Sequence, residues 1–112
     1  MECDLADRKC IPCRGGVPPL EGDALASLHE QLGNDWHVVD GHHLEKEFEF
    51  KTYLDGADFT TRVAALAEVQ GHHPDILLTW CTVKVTIWTH KIDGLTENDF
   101  ILAAKIQEFY AP

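Results

Sequence analysis

Two adjacent histidines, His72 and His73, are the residues of this chain best suited to move a proton. Imidazole has a pKa of about 6.5 in model peptides, so it can donate or accept a proton near neutral pH. Pro74 follows and restricts the backbone of His73 to extended conformations. Glu68 lies one helical turn before His72 and could hold that ring by a hydrogen bond that sets its tautomer. The pair could instead cap the negative C-terminal end of a helix, and spacing alone leaves both interpretations open.

Three further histidines lie near predicted strand ends. His90 ends a predicted strand that also carries Trp88, and it could line a pocket or be an ordinary surface residue. His42 and His43 repeat the Gly-His-His string, but they follow Asp40-Gly41, a strong two-residue turn signal. Exposed polar residues are normal beside such turns, so we interpret this copy, the first along the chain, as a solvated turn and a control for His72 and His73.

A metal site is an alternative use of these side chains, because His72, His73 and His90 could supply three imidazoles. Adjacent residues chelate poorly, however, and the chain has no HExxH pair. Cys10 and Cys13 form one CxxC motif without the second pair that a zinc ribbon requires. This motif lies in a Pro/Gly-rich segment and not between a strand and a helix, as a thioredoxin-type pair would. We therefore expect no bound metal.

The composition favours a single globular domain with an acidic surface. The 112 residues are 45% hydrophobic and carry a formal net charge of −10. Phosphate groups would be repelled, so we expect no nucleic-acid partner and no association with anionic membranes. No apolar run is long enough to span a bilayer, and the first residues lack the apolar core of a secretory signal. These features indicate a cytoplasmic protein with reduced cysteines.

Apolar spacing and turn residues predict the elements that must position the histidines. Residues 1–20 predict an irregular N-terminal arm, followed by a single domain over residues 21–112. That domain is predicted to contain a helix at 21–33, a hairpin at 35–51, a helix at 55–71, two strands at 75–90 with a turn near Cys81-Thr82, and a helix at 94–110. The order α-β-β-α-β-β-α predicts an α+β fold, a two-layer sandwich with a four-stranded antiparallel sheet and helices on one face.

Sequence position also predicts the local role of several side chains. Thr96 and Asp99 fit a capping box at the start of the last helix. Lys46 interrupts the alternating apolar series of its strand, which a long aliphatic stem at a sheet edge would tolerate. Trp36 and Trp80 are interpreted as core or sheet-face residues.

The chemistry-bearing residues together resemble the signature of the pterin-4a-carbinolamine dehydratases. That pattern is an acidic or polar residue, His-His-Pro, an aromatic residue, a histidine and an aspartate, at spacings that this chain matches with Glu68, His72-His73-Pro74, Trp80, His90 and Asp99. The resemblance covers residues 25–110 and includes the GLTENDF string at the start of the last predicted helix. The fold that it implies, a four-stranded antiparallel sheet with helices packed on one side, agrees with the element order predicted above.

The resemblance implies a hydro-lyase that converts a 4a-hydroxytetrahydropterin to the quinonoid dihydropterin, a step of tetrahydrobiopterin recycling. Water leaves from C4a as a proton leaves N5, so the reaction needs an acid and a base and no cofactor. His73 and His90 are the implied proton-transfer pair, and His72 orients the substrate and shares the acid/base work. Glu68 and Asp99 would position the imidazoles. The implied substrate-binding residues are His72, His73, Pro74, Thr89, His90, Lys91 and Ile92.

Members of that family are similar in forming homodimers, often pairs of dimers, so a homodimer or homotetramer is expected. Free sheet edges and a broadly apolar last helix give a physical reason for such an assembly. Two alternative functions remain. The chain could be a non-catalytic dimeric binding module, since some animal members act as coactivators that stabilise transcription-factor dimers. It could also be a metal-binding or molybdenum-cofactor-linked accessory protein that reuses a pterin-shaped pocket.

Overall fold

Helices cover one face of a four-stranded antiparallel sheet in the computed structural model, which describes residues 5–8 and 18–110. The sheet has the strand order β1-β2-β4-β3. After a single 3-10 turn at Leu5–Asp7, the elements are α1 Gly22–Leu32, β1 His37–Val39, β2 His43–Glu49, α2 Tyr53–Gln70, β3 Asp75–Thr79, β4 Thr82–Ile87 and α3 Glu97–Phe109. The predicted class and element order are confirmed. No helix in the described ranges is both long and apolar enough to cross a bilayer.

The two central strands, β2 and β4, alternate between a buried and a partly exposed face. Val83, Val85 and Ile87 of β4 are fully buried under the helices, whereas the residues between them reach the other face. This period of two is the pattern expected for a sheet covered on one side. The turn between β1 and β2 uses Asp40 and Gly41 with φ values of 53° and 65°, as a two-residue hairpin turn requires.

Lys46 lies on the buried face of β2, although the sequence suggested a sheet edge. β2 lies between β1 and β4, but its pairing with β1 ends at Glu45, so at Lys46 it has a strand neighbour on the β4 side only. The burial of the Lys46 side chain is the feature that the sequence did not indicate. The Lys46 ammonium donates hydrogen bonds to the carbonyl of Asn34 at 2.5 Å and to Gln107 Oε1 at 2.8 Å. Gln107 Oε1 also accepts from the indole N–H of Trp36 at 3.1 Å. Burial lowers the pKa of Lys46 below its ordinary value, and the negative charge of Asp35 opposes that shift.

The two tryptophans interpreted as core or sheet-face residues have different surroundings. Trp36 is 2% exposed and packs edge-to-face on Phe48, which confirms its place in the core. Trp80 is 79% exposed at the turn between β3 and β4, so a buried or sheet-face position is wrong for it. The turn lies at Trp80 and Cys81, one residue earlier than predicted, and Cys81 takes a φ of 68° there.

Part of the N-terminal arm packs on α3. Leu5 is 5% exposed within the core, and the Lys105 ammonium donates to the carbonyl of Ala6 at 2.6 Å. Cys10 and Cys13 lie outside the described residues, so their role stays a prediction. The division into an arm and a domain likewise stays a prediction.

Candidate active site

One end of the sheet gathers the residues that the sequence singled out. Strands β3 and β4 are antiparallel, with Asp75 opposite Thr86. The residues just before Asp75 therefore leave the sheet at the same end as the residues just after Ile87. The C-terminus of α2 leads into the first of these segments, and the second leads into α3. Histidines far apart in sequence are thus brought to the same end of the fold.

A turn of left-handed backbone separates His72 and His73 from α2. Gly71 has a φ of 66° and ψ of 27°, and its N–H donates to the carbonyl of Ala67. The N–H of His72 donates to that same carbonyl at 3.2 Å. These bonds end the helix in the way that glycine caps do, as predicted for Gly71. Backbone N–H groups form this cap. The imidazoles of His72 and His73 bond carboxylates instead of capping the helix.

His72 is held by Asp99, the third residue of α3. His72 Nε2 lies 2.5 Å from Asp99 Oδ1, and the His72 side chain is 14% exposed. An ionised carboxylate only accepts hydrogen bonds, so the proton on neutral His72 lies on Nε2 and its Nδ1 keeps a free lone pair. The contact therefore fixes both the orientation and the tautomer of this imidazole.

Asp99 is fully buried and accepts three hydrogen bonds. Besides His72, its Oδ2 accepts from the backbone N–H of Thr96 at 2.8 Å and from the Thr89 hydroxyl at 2.9 Å. The Thr96 contact is one half of the capping box that the sequence predicted, and the other half is also present. The Thr89 hydroxyl lies 3.0 Å from that of Thr96. A single carboxylate thus joins the first turn of α3, the segment after β4 and the His72 ring.

Glu68 contacts His73, and the expected contact with His72 is absent. Its Oε1 lies 2.8 Å from His73 Nε2, and both side chains are largely exposed. A spacing of four residues aligns side chains only while the chain stays helical. Gly71 breaks that helical geometry, so His72 turns toward α3 and His73 is the residue that contacts Glu68.

His90 is exposed in a turn that follows β4. The strand ends at Ile87, three residues earlier than the sequence suggested. The ring of His90 packs edge-to-face on Trp88, with centroids 4.4 Å apart and an angle of 64°. The turn is closed by Thr89, whose N–H donates to the carbonyl of Gly94 and whose carbonyl accepts from Ile92 and Asp93.

The remaining predicted contacts to substrate surround that turn. Thr89 is 2% exposed and its hydroxyl is used by Asp99, so the Thr89 side chain acts within the protein. Lys91 is exposed, and Pro74 and Ile92 are half-buried. Among the described residues, no backbone carbonyl accepts from the N–H groups of His90 and Lys91. The turn therefore has backbone donors available to a ligand.

His42 and His43 are not the plain solvated turn that their sequence context suggested. Their side chains are only 34% and 23% exposed, and both rings contact Trp88, with centroid distances of 5.6 and 6.2 Å. His42 Nε2 also lies 2.8 Å from Asp93 Oδ1. The cause is the pairing of Leu44 with Ile87, which brings the start of β2 beside Trp88. Sequence reasoning missed this neighbourhood because it depends on the order of the strands.

Two other features bear on a ligand or metal at this end of the sheet. An open hollow of about 730 Å³ lies at the opposite side of the molecule, lined by residues that include Lys46, Phe59 and Tyr110. None of the predicted site residues lines this hollow, so it is separate from the candidate site. In the part of the chain that the structure describes, no three His, Cys, Asp or Glu side chains are arranged to hold a metal ion.

Comparison with known proteins gives the same family from sequence and from structure. The family model for pterin 4 alpha carbinolamine dehydratase matches residues 18–109. Provisionally named pterin-4-alpha-carbinolamine dehydratases include one from Rickettsia bellii, 53% identical over 95% of this chain and 94% of the relative, and one from Alkaliphilus metalliredigens, 50% identical over 94% and 95%. The crystal structure of a transcriptional coactivator/pterin dehydratase from Brucella melitensis has a TM-score of 0.77 at 29% identity, covering 83% of this chain and 99% of that one. The chain belongs to the pterin-4a-carbinolamine dehydratase family of hydro-lyases.

Proposed function

We propose that this protein dehydrates a 4a-hydroxytetrahydropterin to the quinonoid dihydropterin by histidine acid/base catalysis, within the recycling of tetrahydrobiopterin. Family membership supports the reaction. The single observation that best supports histidine catalysis is the pair formed by His72 and the buried carboxylate of Asp99 at 2.5 Å. A buried aspartate that fixes a histidine tautomer prepares the other ring nitrogen for proton transfer.

The reaction requires two proton transfers and no change in oxidation state. The C4a–O bond breaks and the hydroxyl group leaves with an added proton as water. N5 loses its proton, and its electron pair forms the C4a=N5 double bond. Hydroxide is a poor leaving group, so an acid at the oxygen and a base at N5 both accelerate the step. Imidazole serves either role near neutral pH, which suits a site built from histidines.

We assign the proton transfers to His73 and His90, and the orientation of the substrate to His72, which shares the acid/base work. The rings of His73 and His90 are both exposed and can reach a bound heterocycle. His72 is mostly buried against Asp99, which suits a fixed orienting group. Glu68 accepts from His73 and would keep that ring's other nitrogen unprotonated in the neutral form.

We assign the binding of the pterin to Pro74 and to the turn from Thr89 to Ile92. The pterin ring has hydrogen-bond donors and acceptors along one edge, and the free N–H groups of His90 and Lys91 suit its acceptors. Thr89 would contribute by fixing the turn and Asp99. Convergence of the three imidazoles on one heterocycle remains a prediction of this assignment.

Individual alanine variants of His72, His73 and His90, assayed for dehydration of synthetic carbinolamine, test the assignment. Each should lower turnover, by about a hundredfold or more for a residue that transfers a proton. His37→Ala is the matched control, because His37 is an exposed histidine on the neighbouring strand β1. Wild-type turnover in all three variants would refute histidine catalysis. Stoichiometric zinc or iron in the purified protein would count against a cofactor-free dehydratase.

We also propose that the protein forms a homodimer or a homotetramer. The edge strands β1 and β3 have unpaired sides within the described chain, and Leu77 and Trp80 are 57% and 79% exposed at the β3 edge. Covering such edges and apolar side chains would lower the free energy of an assembly. Light scattering coupled to size-exclusion chromatography would measure the mass, and a monomer at micromolar concentration would refute this proposal.

The cytoplasmic location stays a prediction, which cell fractionation would test.

A further inference from the structure

A cluster of four aromatic rings adjoins the candidate site, and only one of its members, His90, has a role in the chemistry assigned above. We call it the Trp88 cluster, and its members are His42, His43, Trp88 and His90. Trp88 contacts the other three rings, namely His42 in the turn before β2, His43 at the start of β2 and His90 after β4. The Gly41-His42-His43 string is therefore in indirect contact, through Trp88, with the proposed catalytic imidazole of His90.

His90 differs from the other two proposed catalytic histidines in what holds it. His72 and His73 each bond a carboxylate, Asp99 and Glu68 respectively. Within residues 5–8 and 18–110, the His90 ring has no hydrogen-bond partner, and its contact is the edge-to-face packing on Trp88 at 4.4 Å. The orientation of this imidazole therefore depends on where Trp88 is held.

His42 fixes that part of the molecule in two ways. Its ring packs on Trp88 at 5.6 Å, and its Nε2 lies 2.8 Å from Asp93 Oδ1 in the turn that carries His90. The turn is thus attached at both ends: Thr89 bonds Asp99, and Asp93 bonds His42. A second contact, His42 Nδ1 to His43 Nδ1 at 3.1 Å, limits rotation of the His42 ring.

We propose that His42 is a positioning residue for the dehydration reaction, acting on His90 through Trp88 and through Asp93. This inference rests on the proposed function, because it takes His90 as a proton-transfer group. Aromatic ring contacts and partly exposed contacts between histidine and carboxylate are individually weak, so loss of one should misplace His90 in part of the population. The expected loss in kcat is about three- to tenfold, with a smaller rise in KM, because His42 is not among the residues assigned to the pterin but helps to hold the turn that is.

Variants of His42, Asp93 and Trp88 separate the effect through Trp88 from the effect through Asp93. His42→Ala removes both contacts, whereas Asp93→Gly removes only the bond to the turn. Glycine suits Asp93, whose φ is 55°, so this change adds no backbone strain. Trp88→Ala removes the ring that holds His90, and Trp88→Phe keeps an edge-to-face partner and should restore most of the lost kcat. His37→Ala is again the control, since His37 lies on β1 outside the Trp88 cluster.

Two measurements on the full chain test the proposal. The ring-proton resonances of His90, recorded without substrate, should move in His42→Ala and in Asp93→Gly, because its position relative to the Trp88 ring current changes. Trp88→Ala abolishes the ring current itself, so that variant is judged by kcat. A loss of kcat that exceeds any rise in KM, together with shifted resonances, supports positioning.

Unchanged His90 resonances, or control-like kcat in both His42→Ala and Asp93→Gly, would overturn it. His42 and Asp93 lie at the surface, so their variants should fold even if Trp88→Ala does not. Failure of the proposed function is distinguishable, because full turnover in His90→Ala would refute His90 as a catalytic residue. The resonances of His90 in the other variants would still report whether His42 positions that ring.

Discussion

Replacing Asp99 by asparagine should invert the tautomer of His72 while preserving the shape of the site. Thr96 N–H and the Thr89 hydroxyl both donate to Asp99 Oδ2, so the amide oxygen of asparagine must occupy that position. The amide NH₂ then faces His72 Nε2, which lies 2.5 Å from Oδ1 in the native protein. An NH₂ group only donates, so Nε2 must become the acceptor and the His72 proton must move to Nδ1.

The expected loss of stability follows from the three hydrogen bonds of Asp99. The expected loss of turnover follows from the loss of the basic Nδ1 of His72. Hydrogen bonds to a charged acceptor contribute about 1 kcal/mol more than neutral ones, but removing a buried carboxylate also removes its desolvation cost. A net loss of about 1–2 kcal/mol is expected, or roughly 4–8 °C in Tm for a domain of this size. General acid/base groups contribute about 10²–10⁴-fold, and His72 shares this work, so we expect turnover to fall by about a hundredfold.

Stopped-flow dehydration of synthetic carbinolamine measures the turnover, and ¹⁵N chemical shifts of the His72 ring report the tautomer. Asp58→Asn is the matched control, because Asp58 is 67% exposed on α2 in an ion pair with Arg62. It should leave turnover unchanged and shift Tm by less than about 2 °C. If Asp99→Asn shows the inverted tautomer and keeps turnover within about threefold of wild type, the reasoning about His72 is wrong.

Three further predictions concern pairs and networks described above. Gln107→Leu should lower the free energy of unfolding by about 2–3 kcal/mol in urea titrations, because Lys46 and Trp36 lose a shared acceptor; a loss below 0.5 kcal/mol would contradict it. Because burial lowers the folded-state pKa of Lys46, the unfolded chain binds more protons just below pH 10.5, so stability should rise with pH there. Lys46→Met should abolish that rise, and an unchanged slope would contradict the assignment. Glu68→Gln should change the free energy of unfolding by less than about 0.5 kcal/mol, because the pair with His73 is exposed. Turnover should fall by less than about tenfold, because the amide oxygen of glutamine still accepts the hydrogen bond from His73. A loss of turnover of about a hundredfold would show that the charge of Glu68 is required.

The hairpins and helices were predictable because their signals are local. Alternating residues in β2 and β4, the Asp40-Gly41 turn and the capping box at Thr96 each act over a few residues. The wrong expectations depended on non-local pairing. The burial of Lys46 was not predictable, because its partners Asn34 and Gln107 lie 12 and 61 residues away along the chain.

The sequence predicted residues that the fold brings to one end of the sheet, but it did not predict their contacts; their roles in a site stay a prediction. Periodicity paired Glu68 with His72, but the left-handed backbone at Gly71 redirected both histidines. Asp99 has two roles, and the capping box explained only one of them. The neighbourhood of His42 follows from the pairing of β2 with β4, which hydrophobic patterning does not specify.

The shared use of Asp99 has a consequence for motion. Helix ends fray, and an opening of the first turn of α3 would release the Thr96 N–H from Asp99. The same carboxylate would then keep the Thr89 hydroxyl but lose its bond to Thr96, and it would hold the His72 ring less firmly. Amide exchange at Thr96 should therefore report how often the enzyme visits a conformer with a disoriented imidazole, and conditions that suppress that exchange should also enlarge the active fraction.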